Sequence, residues 1–269
     1  MSDPTTTAGS DAARDDATND VTGGAIPERM VPGLSHDPLY QEHVQRYVYA
    51  ATFAAGKDVL DVACGVGYGT RTLADAGAAS ALGVDLSEAA VRYAADHYAA
   101  PNVRFAVGNA QALPPDATES YDLVVSFETI EHLPDVGAYL AEMHRALRPG
   151  GTFLCSTPDA RLCSLLSRFR GGRPRNPHHL REYTLEQFLD VLQSRFEVRE
   201  VLGQQFISSA LAFWPVQVAL KGSARAMRGT RIPAAVARLY NMDRDYAVRP
   251  RPVPAAVARY WVAHCVKPA

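Results

Sequence analysis

The sequence predicts an α/β domain built on a doubly wound, mostly parallel sheet. Three observations lead there. Short, near-continuous apolar runs recur along the chain, and amphipathic segments with helical spacing separate them. Strands buried on both faces lose the alternating pattern, which is the mark of a parallel sheet covered by helices. The first apolar run also ends in "VLDVACGVGYGT" (59–70), a strand feeding a glycine-rich turn that opens a helix, as nucleotide sites are built.

Each element has its own signal. Residues 1–25 are rich in Asp, Thr, Ala and Gly with no apolar face, and are expected to be a disordered tail. "YQEHVQRYVYAATF" (40–53) has helical spacing, so 26–57 reads as an N-terminal cap-helix region. Strands are expected at 58–63, 81–86, 103–108, 121–127 and 152–157, with helices at 68–76, 87–99 and 135–147. Ser87 is placed to cap the second of these, and "RPGG" (148–151) reads as a stop and turn after the third. An arginine-rich connection (159–181) leads to a helix at 184–194 capped by Thr184 and a strand at 196–202. Residues 58–207 thus form the core. Residues 208–255 read as a helical, Pro-rich insertion that caps it, and 256–269 as a closing strand that completes a split hairpin.

Composition narrows the class. The chain has 269 residues, 47% of them hydrophobic, enough for one sizeable core. A formal net charge of −2 argues against a general nucleic-acid binder. No apolar stretch is long enough to span a membrane, and no secretory signal opens the sequence. Cys64, Cys155, Cys163 and Cys265 form neither a CxxC pair nor a Cys/His cluster, so reduced thiols in a cytoplasmic protein and no metal are expected.

The motifs sharpen the nucleotide. A dinucleotide fingerprint needs its third glycine three residues after the second, but here the glycines are Gly65, Gly67 and Gly69, with Thr70 next. Asp61 lies near the end of the first strand and Asp85 ends the second. "GNAQALP" (108–114), "YDLVVSFETIEHLPD" (121–135) and "LRPGGTFLCSTP" (147–158) follow in order. From Val59 to Pro158, and more loosely to Phe206, these residues resemble the class I S-adenosylmethionine-dependent methyltransferases, in the small-molecule branch often called type 11. The resemblance implies a Rossmann-like seven-stranded sheet, six strands parallel and the last antiparallel, with helices on both faces and a helical cap. It also implies S-adenosyl-L-methionine as cofactor and a small-molecule acceptor as partner.

The matched positions suit that cofactor. Ala63, Cys64, Gly65 and Gly67 bring backbone close to the methionine end. Asp61 is placed to accept from the ammonium, Asp85 from both ribose hydroxyls, and Leu86 offers an apolar face to adenine. Asn109 and Ala110 stand where relatives have Asp-Ala against the adenine amino group, with a simple turn former as the alternative reading of Asn109. Phe127 and Glu128 are expected to supply backbone oxygen and wall the methyl-donor end. Ala63 departs from a glycine common in relatives.

Methyl transfer from a sulfonium is an in-line displacement, so positioning supplies most of the acceleration, and an oxygen acceptor also needs a base. The turn after the fourth strand lacks the [DN]-P-P-[YF] of nucleic-acid amino-methyltransferases and reads "ETIEHLPD", which places His132 near the cofactor mouth. "NPHHLREYT" (176–184) resembles an H-x-R-x-[YF]-T turn and offers His179 as base or acceptor-orienting group, with His132 competing. Glu131 reads as a solvated or structural carboxylate. O-methylation of a sugar-containing or aromatic metabolite is the leading expectation, with N- or C-methylation as alternative. An NAD(P)-dependent oxidoreductase and a non-catalytic cofactor binder are the readings from other classes.

Overall fold

In the computed structural model, residues 38–163, 176–208, 246–250 and 256–269 are described. The expected tail (1–25), most of the arginine-rich connection and nearly all of the 208–255 insertion lie outside them. The elements run α1 (Pro38–Ala51), β1 (Asp58–Val62), α2 (Tyr68–Asp75), β2 (Ser80–Asp85), α3 (Glu88–Tyr98), β3 (Val103–Val107) and β4 (Tyr121–Phe127). They continue with α4 (Val136–Ala146), β5 (Leu147–Pro158), α5 (Ala160–Cys163), α6 (Leu185–Gln193), β6 (Glu197–Gln204), β7 (Ile207–Ser208), β8 (Arg249–Pro250), β9 (Ala256–Val257) and β10 (Tyr260–Val266).

Caps set the helix boundaries. The Ser87 side chain accepts from Ala90 N–H at the start of α3 and Asp135 accepts from Ala138 N–H at α4. Thr184 and Gln187 make a reciprocal capping box at α6. One expectation fails locally: "RPGG" is no turn between helix and strand. β5 begins directly at Leu147, and the extra residues bulge, so the pairing with β4 jumps from Tyr121–Leu147 to Leu123–Thr152. Gly150, at φ 76°, allows the bulge, and its N–H donates to the Lys267 carbonyl.

The main sheet has strand order β3-β2-β1-β4-β5-β10-β6-β8. Strands β1 to β5 pair in parallel, and β10 lies antiparallel between β5 and β6. β6 therefore runs with the first five strands. The sheet has eight strands rather than the seven expected, because β8 adds antiparallel to the edge of β6, pairing Leu202 with Pro250 and Gly203 with Arg249. Proline is tolerated there because an edge strand needs one fewer ladder donor. β7 and β9 make a separate two-stranded ribbon.

Both faces of the sheet are buried, as the apolar runs require. Leu60, Val62 and Val124 pack with Tyr139, Leu140 and Met143 of α4 and Phe188 and Leu192 of α6. Val59, Leu123, Val125 and Phe127 pack with Tyr47 and Ala50 of α1 and Leu73 of α2. α1 sits so close to α2 that a Cβ on Gly69 would clash with the Tyr47 ring. That contact accounts for the third glycine of the turn, which sets helix packing rather than nucleotide type.

Among the described residues Cys64, Cys155 and Cys265 are buried and free, and no helix is long and apolar enough to cross a membrane.

Candidate active site

A cavity of about 920 Å³ opens beyond the carboxyl ends of β1, β2 and β4, where ligands of open α/β sheets bind. Its wall includes Ala63, Cys64, Gly65, Asp85, Leu86, Asn109, Ala110, Phe127, Glu128, His132 and His179. Eleven of the thirteen site residues expected from sequence thus meet at one cavity. Asp61 and Gly67 are the two that do not line it.

The glycine turn forms one half. Gly65 takes φ 56° and faces open space where a Cβ would stand, and its N–H donates to Asp85 Oδ2 at 2.9 Å. Ser87 N–H donates to Asp85 Oδ1, so the carboxylate is fixed in orientation. Leu86 beside it is 72% exposed, an apolar surface left uncovered at the cavity mouth. Together, the open space at Gly65, the oriented acceptor and the bare leucine fit a nucleoside. Asn109 Oδ1 accepts from Gln111 N–H, so this residue does serve as a turn former while lining the wall.

Ala63 adopts φ 61°, where a Cβ is crowded. Relief of that crowding should make Ala63→Gly more stable by about 1 kcal/mol, read as a raised urea midpoint at unchanged slope. An unchanged midpoint would show that the turn carries no strain at this residue.

Asp61 stands behind the wall. It is fully buried and accepts from Thr70 Oγ1 at 2.6 Å and from Tyr47 Oη at 3.1 and 3.2 Å. Its carboxylate thereby ties α1 to the turn. Burial, reinforced by the Asp85 charge, raises its pKa to about 7 against these hydrogen bonds. The folded state then holds a proton that the unfolded chain releases near pH 4. Stability should fall with a slope on the order of 1.4 kcal/mol per pH unit from about pH 4 to about 7, and level off above. Unfolding curves across that range check it, and Asp61→Asn should flatten the slope.

The other half of the cavity is polar. Phe127 O accepts from Thr129 Oγ1. Glu128 takes φ 52° and is held there by Ser156, which accepts from its N–H and donates to its Oε1 at 2.7 Å. A strained residue so held at a strand end is a site feature. The turn continues into a 3₁₀ segment, Ile130–His132. The Glu131 carbonyl accepts from Leu180 and Arg181 N–H, joining this turn to the 176–184 loop. The Glu131 side chain is buried, not solvated, and burial with the nearby Glu128 charge pushes its carboxyl well above the usual carboxylate range.

The two expected histidines meet, their ring centroids 4.9 Å apart. His132 Nδ1 lies 3.0 Å from the His178 carbonyl, which can only accept, so that nitrogen carries the proton. His179 Nδ1 faces Glu182 Oε1 at 3.2 Å in the same way. Sequence reasoning missed Glu182, although the spacing H-x-x-E in "HLRE" was available. It also missed Arg46, buried on α1, which contacts Gln204 Oε1 at 2.7 Å, Glu128 at 3.8 Å and the Tyr260 ring. Its signal was a Glu42/Arg46 pair at i,i+4 within an otherwise apolar helix face. His43 joins the same wall, held uncharged by burial and by Arg46.

A family model described as "Methyltransferase domain" matches residues 60–155. The "Probable S-adenosylmethionine-dependent methyltransferase" of Mycolicibacterium smegmatis is 40% identical over 181 residues, covering 65% of this chain and 66% of that protein. The ubiquinone biosynthesis O-methyltransferase of Methylococcus capsulatus is 35% identical over 141 residues, covering 49% of this chain and 59% of its own. The matches thus span less than two thirds of these relatives. Among solved structures the [4+2]-cyclase SpnF is similar in fold, with TM-score 0.58 and 20% identity, covering 95% of this chain and 92% of that one. The motif order, the cavity and these matches agree: residues 60–155 match a methyltransferase domain, and over this core the chain is similar to S-adenosylmethionine-dependent methyltransferases.

Proposed function

We propose that this protein transfers the methyl group of S-adenosylmethionine to a hydroxyl oxygen of a small organic molecule, sugar-containing or aromatic. The observation that carries the reading is the Glu182–His179 pair on the same cavity wall as the Asp85 turn. A carboxylate holding Nδ1–H leaves the lone pair on Nε2 as a proton acceptor. The likeness to an O-methyltransferase of ubiquinone biosynthesis supports an oxygen acceptor.

The cofactor supplies an electrophilic methyl carbon bound to sulfonium. Asp85 would hold the ribose, Leu86 would back the adenine, and Arg46, whose Nε has no hydrogen-bond partner among the described residues, would take the cofactor's carboxylate. When the acceptor oxygen takes the methyl group and the S–C bond breaks, His179 Nε2 would receive the hydroxyl proton. The products are a methyl ether, S-adenosylhomocysteine and one proton. α1 contributes Arg46 and Tyr47 to the wall and helps to exclude water.

The test is product identity. With cofactor carrying a ¹³C-methyl group and a panel of phenols and glycosides, the label should appear as a methoxy resonance. Label found only on nitrogen or carbon would overturn the oxygen-acceptor reading in favour of N- or C-methylation.

A further inference from the structure

We infer that Glu131, His132 and His179 form a binding site for one divalent cation of the zinc type, on the acceptor side of the cavity. One ligand atom from each residue lies within 4.8 Å of the other two, and all three residues line the cavity wall. Ligands held at about 2.0–2.1 Å from zinc stand roughly 3.3 Å apart, so the cluster needs to close by up to about 1.5 Å.

Three independent features point to a ligand. First, Glu131 is 1% exposed, and its Oε1 has no hydrogen-bond partner among the described residues. A buried orphan acceptor carries a desolvation cost that a cation would remove. Second, each member has an outer partner: His178 O for His132, Glu182 Oε1 for His179, and Thr157 Oγ1, at 3.2 Å, for Glu131 Oε2. Metal-bound histidines almost always donate their second ring nitrogen in this way. Third, the two loops are already joined by the Leu180 and Arg181 N–H donations to the Glu131 carbonyl, so the ligands need not be gathered from separate mobile segments.

Two imidazoles and one carboxylate suit a borderline cation and disfavour magnesium or calcium, which take oxygen ligands. Three protein ligands leave a coordination position open, as in catalytic rather than structural sites. A hydroxyl placed there would release its proton more readily, so in the loaded protein the two imidazoles are ligands and the cation takes over activation of the acceptor. That use rests on the oxygen-acceptor reading; the binding does not. No CxxC or Cys/His cluster signals the site in the sequence, because it is assembled from two loops 47 residues apart (132 to 179).

The full chain, treated with chelator and freed of cofactor, should bind one equivalent of Co²⁺ with a visible d–d absorption band, and Zn²⁺ should displace it. His132→Ala and His179→Ala should each weaken binding at least about 100-fold, and Glu182→Gln about 10- to 100-fold through loss of orientation. Each variant's circular dichroism and urea midpoint, and for His179→Ala and Glu182→Gln also the S-adenosylhomocysteine affinity, report whether it is folded. Absence of saturable binding to the wild type, or binding unchanged in both histidine variants, would overturn the site. Full O-methylation by metal-free protein that binds no Co²⁺ would reject the metal and keep the oxygen-acceptor reading. One bound Co²⁺ lost in the histidine variants, with label delivered only to nitrogen, would do the reverse.

Discussion

His179→Ala is expected to lower turnover about 10²- to 10⁴-fold while cofactor affinity stays near wild type. The imidazole is fixed by Glu182, whereas Asp85, proposed to hold the ribose, is fixed by the separate Gly65 and Ser87 N–H groups. His132→Ala is nearer the Glu128 turn and should affect both turnover and cofactor binding. Steady-state kinetics with calorimetry for S-adenosylhomocysteine separate the two effects. If both single variants keep near-wild-type turnover, neither histidine moves the proton, and proximity alone drives an already nucleophilic nitrogen or carbon.

Asp85→Ala should weaken cofactor binding by about 2–4 kcal/mol, roughly 30- to 1000-fold. Two losses combine. The ribose loses its charged acceptor, and Gly65 and Ser87 lose the carboxylate that fixes their N–H groups. Asp85→Asn keeps one oxygen and should fall between the two. Calorimetry that finds unchanged affinity in the alanine variant would remove Asp85 from the ribose.

Much of this architecture could be read in advance, for physical reasons that differ by element. Strands β1 to β4 and helices α2 to α4 are signalled locally, by apolar runs and by side-chain caps such as Ser87 and Asp135. That Asp85, Leu86, Asn109 and Phe127 would line one cavity with the glycine turn was equally legible, because one turn and three strand ends carry them. The eighth strand was not. Arg249–Pro250 is two residues long, and only its tertiary partner β6 makes it a strand. "RPGG" misled because glycine and proline mark a bulge as readily as a turn, and the choice depends on β4 alongside. Asp61 shows a third limit. A carboxylate near a strand end says little about which way it faces, and here Tyr47 and Thr70 claim it. Glu182 and Arg46 lay hidden because their roles depend on loops and helices that meet only in the folded chain.

The position of β10 bears on how the sheet can be assembled. It is the last strand in chain order, yet it lies between β5 and β6, pairing Trp261 with Thr157 on one side and Gly203 on the other. During synthesis β1 to β5 can zip together early, but β5 must wait with one edge bare for a partner made about a hundred residues later. Non-local pairings of this kind slow folding, and a waiting edge is a template for a neighbour's strand. A nascent chain arrested before Tyr260 would therefore expose unpaired edges on both β5 and β6, and would depend on chaperones or dilution to avoid aggregation. The segment between β6 and β10 sets how long that exposure lasts.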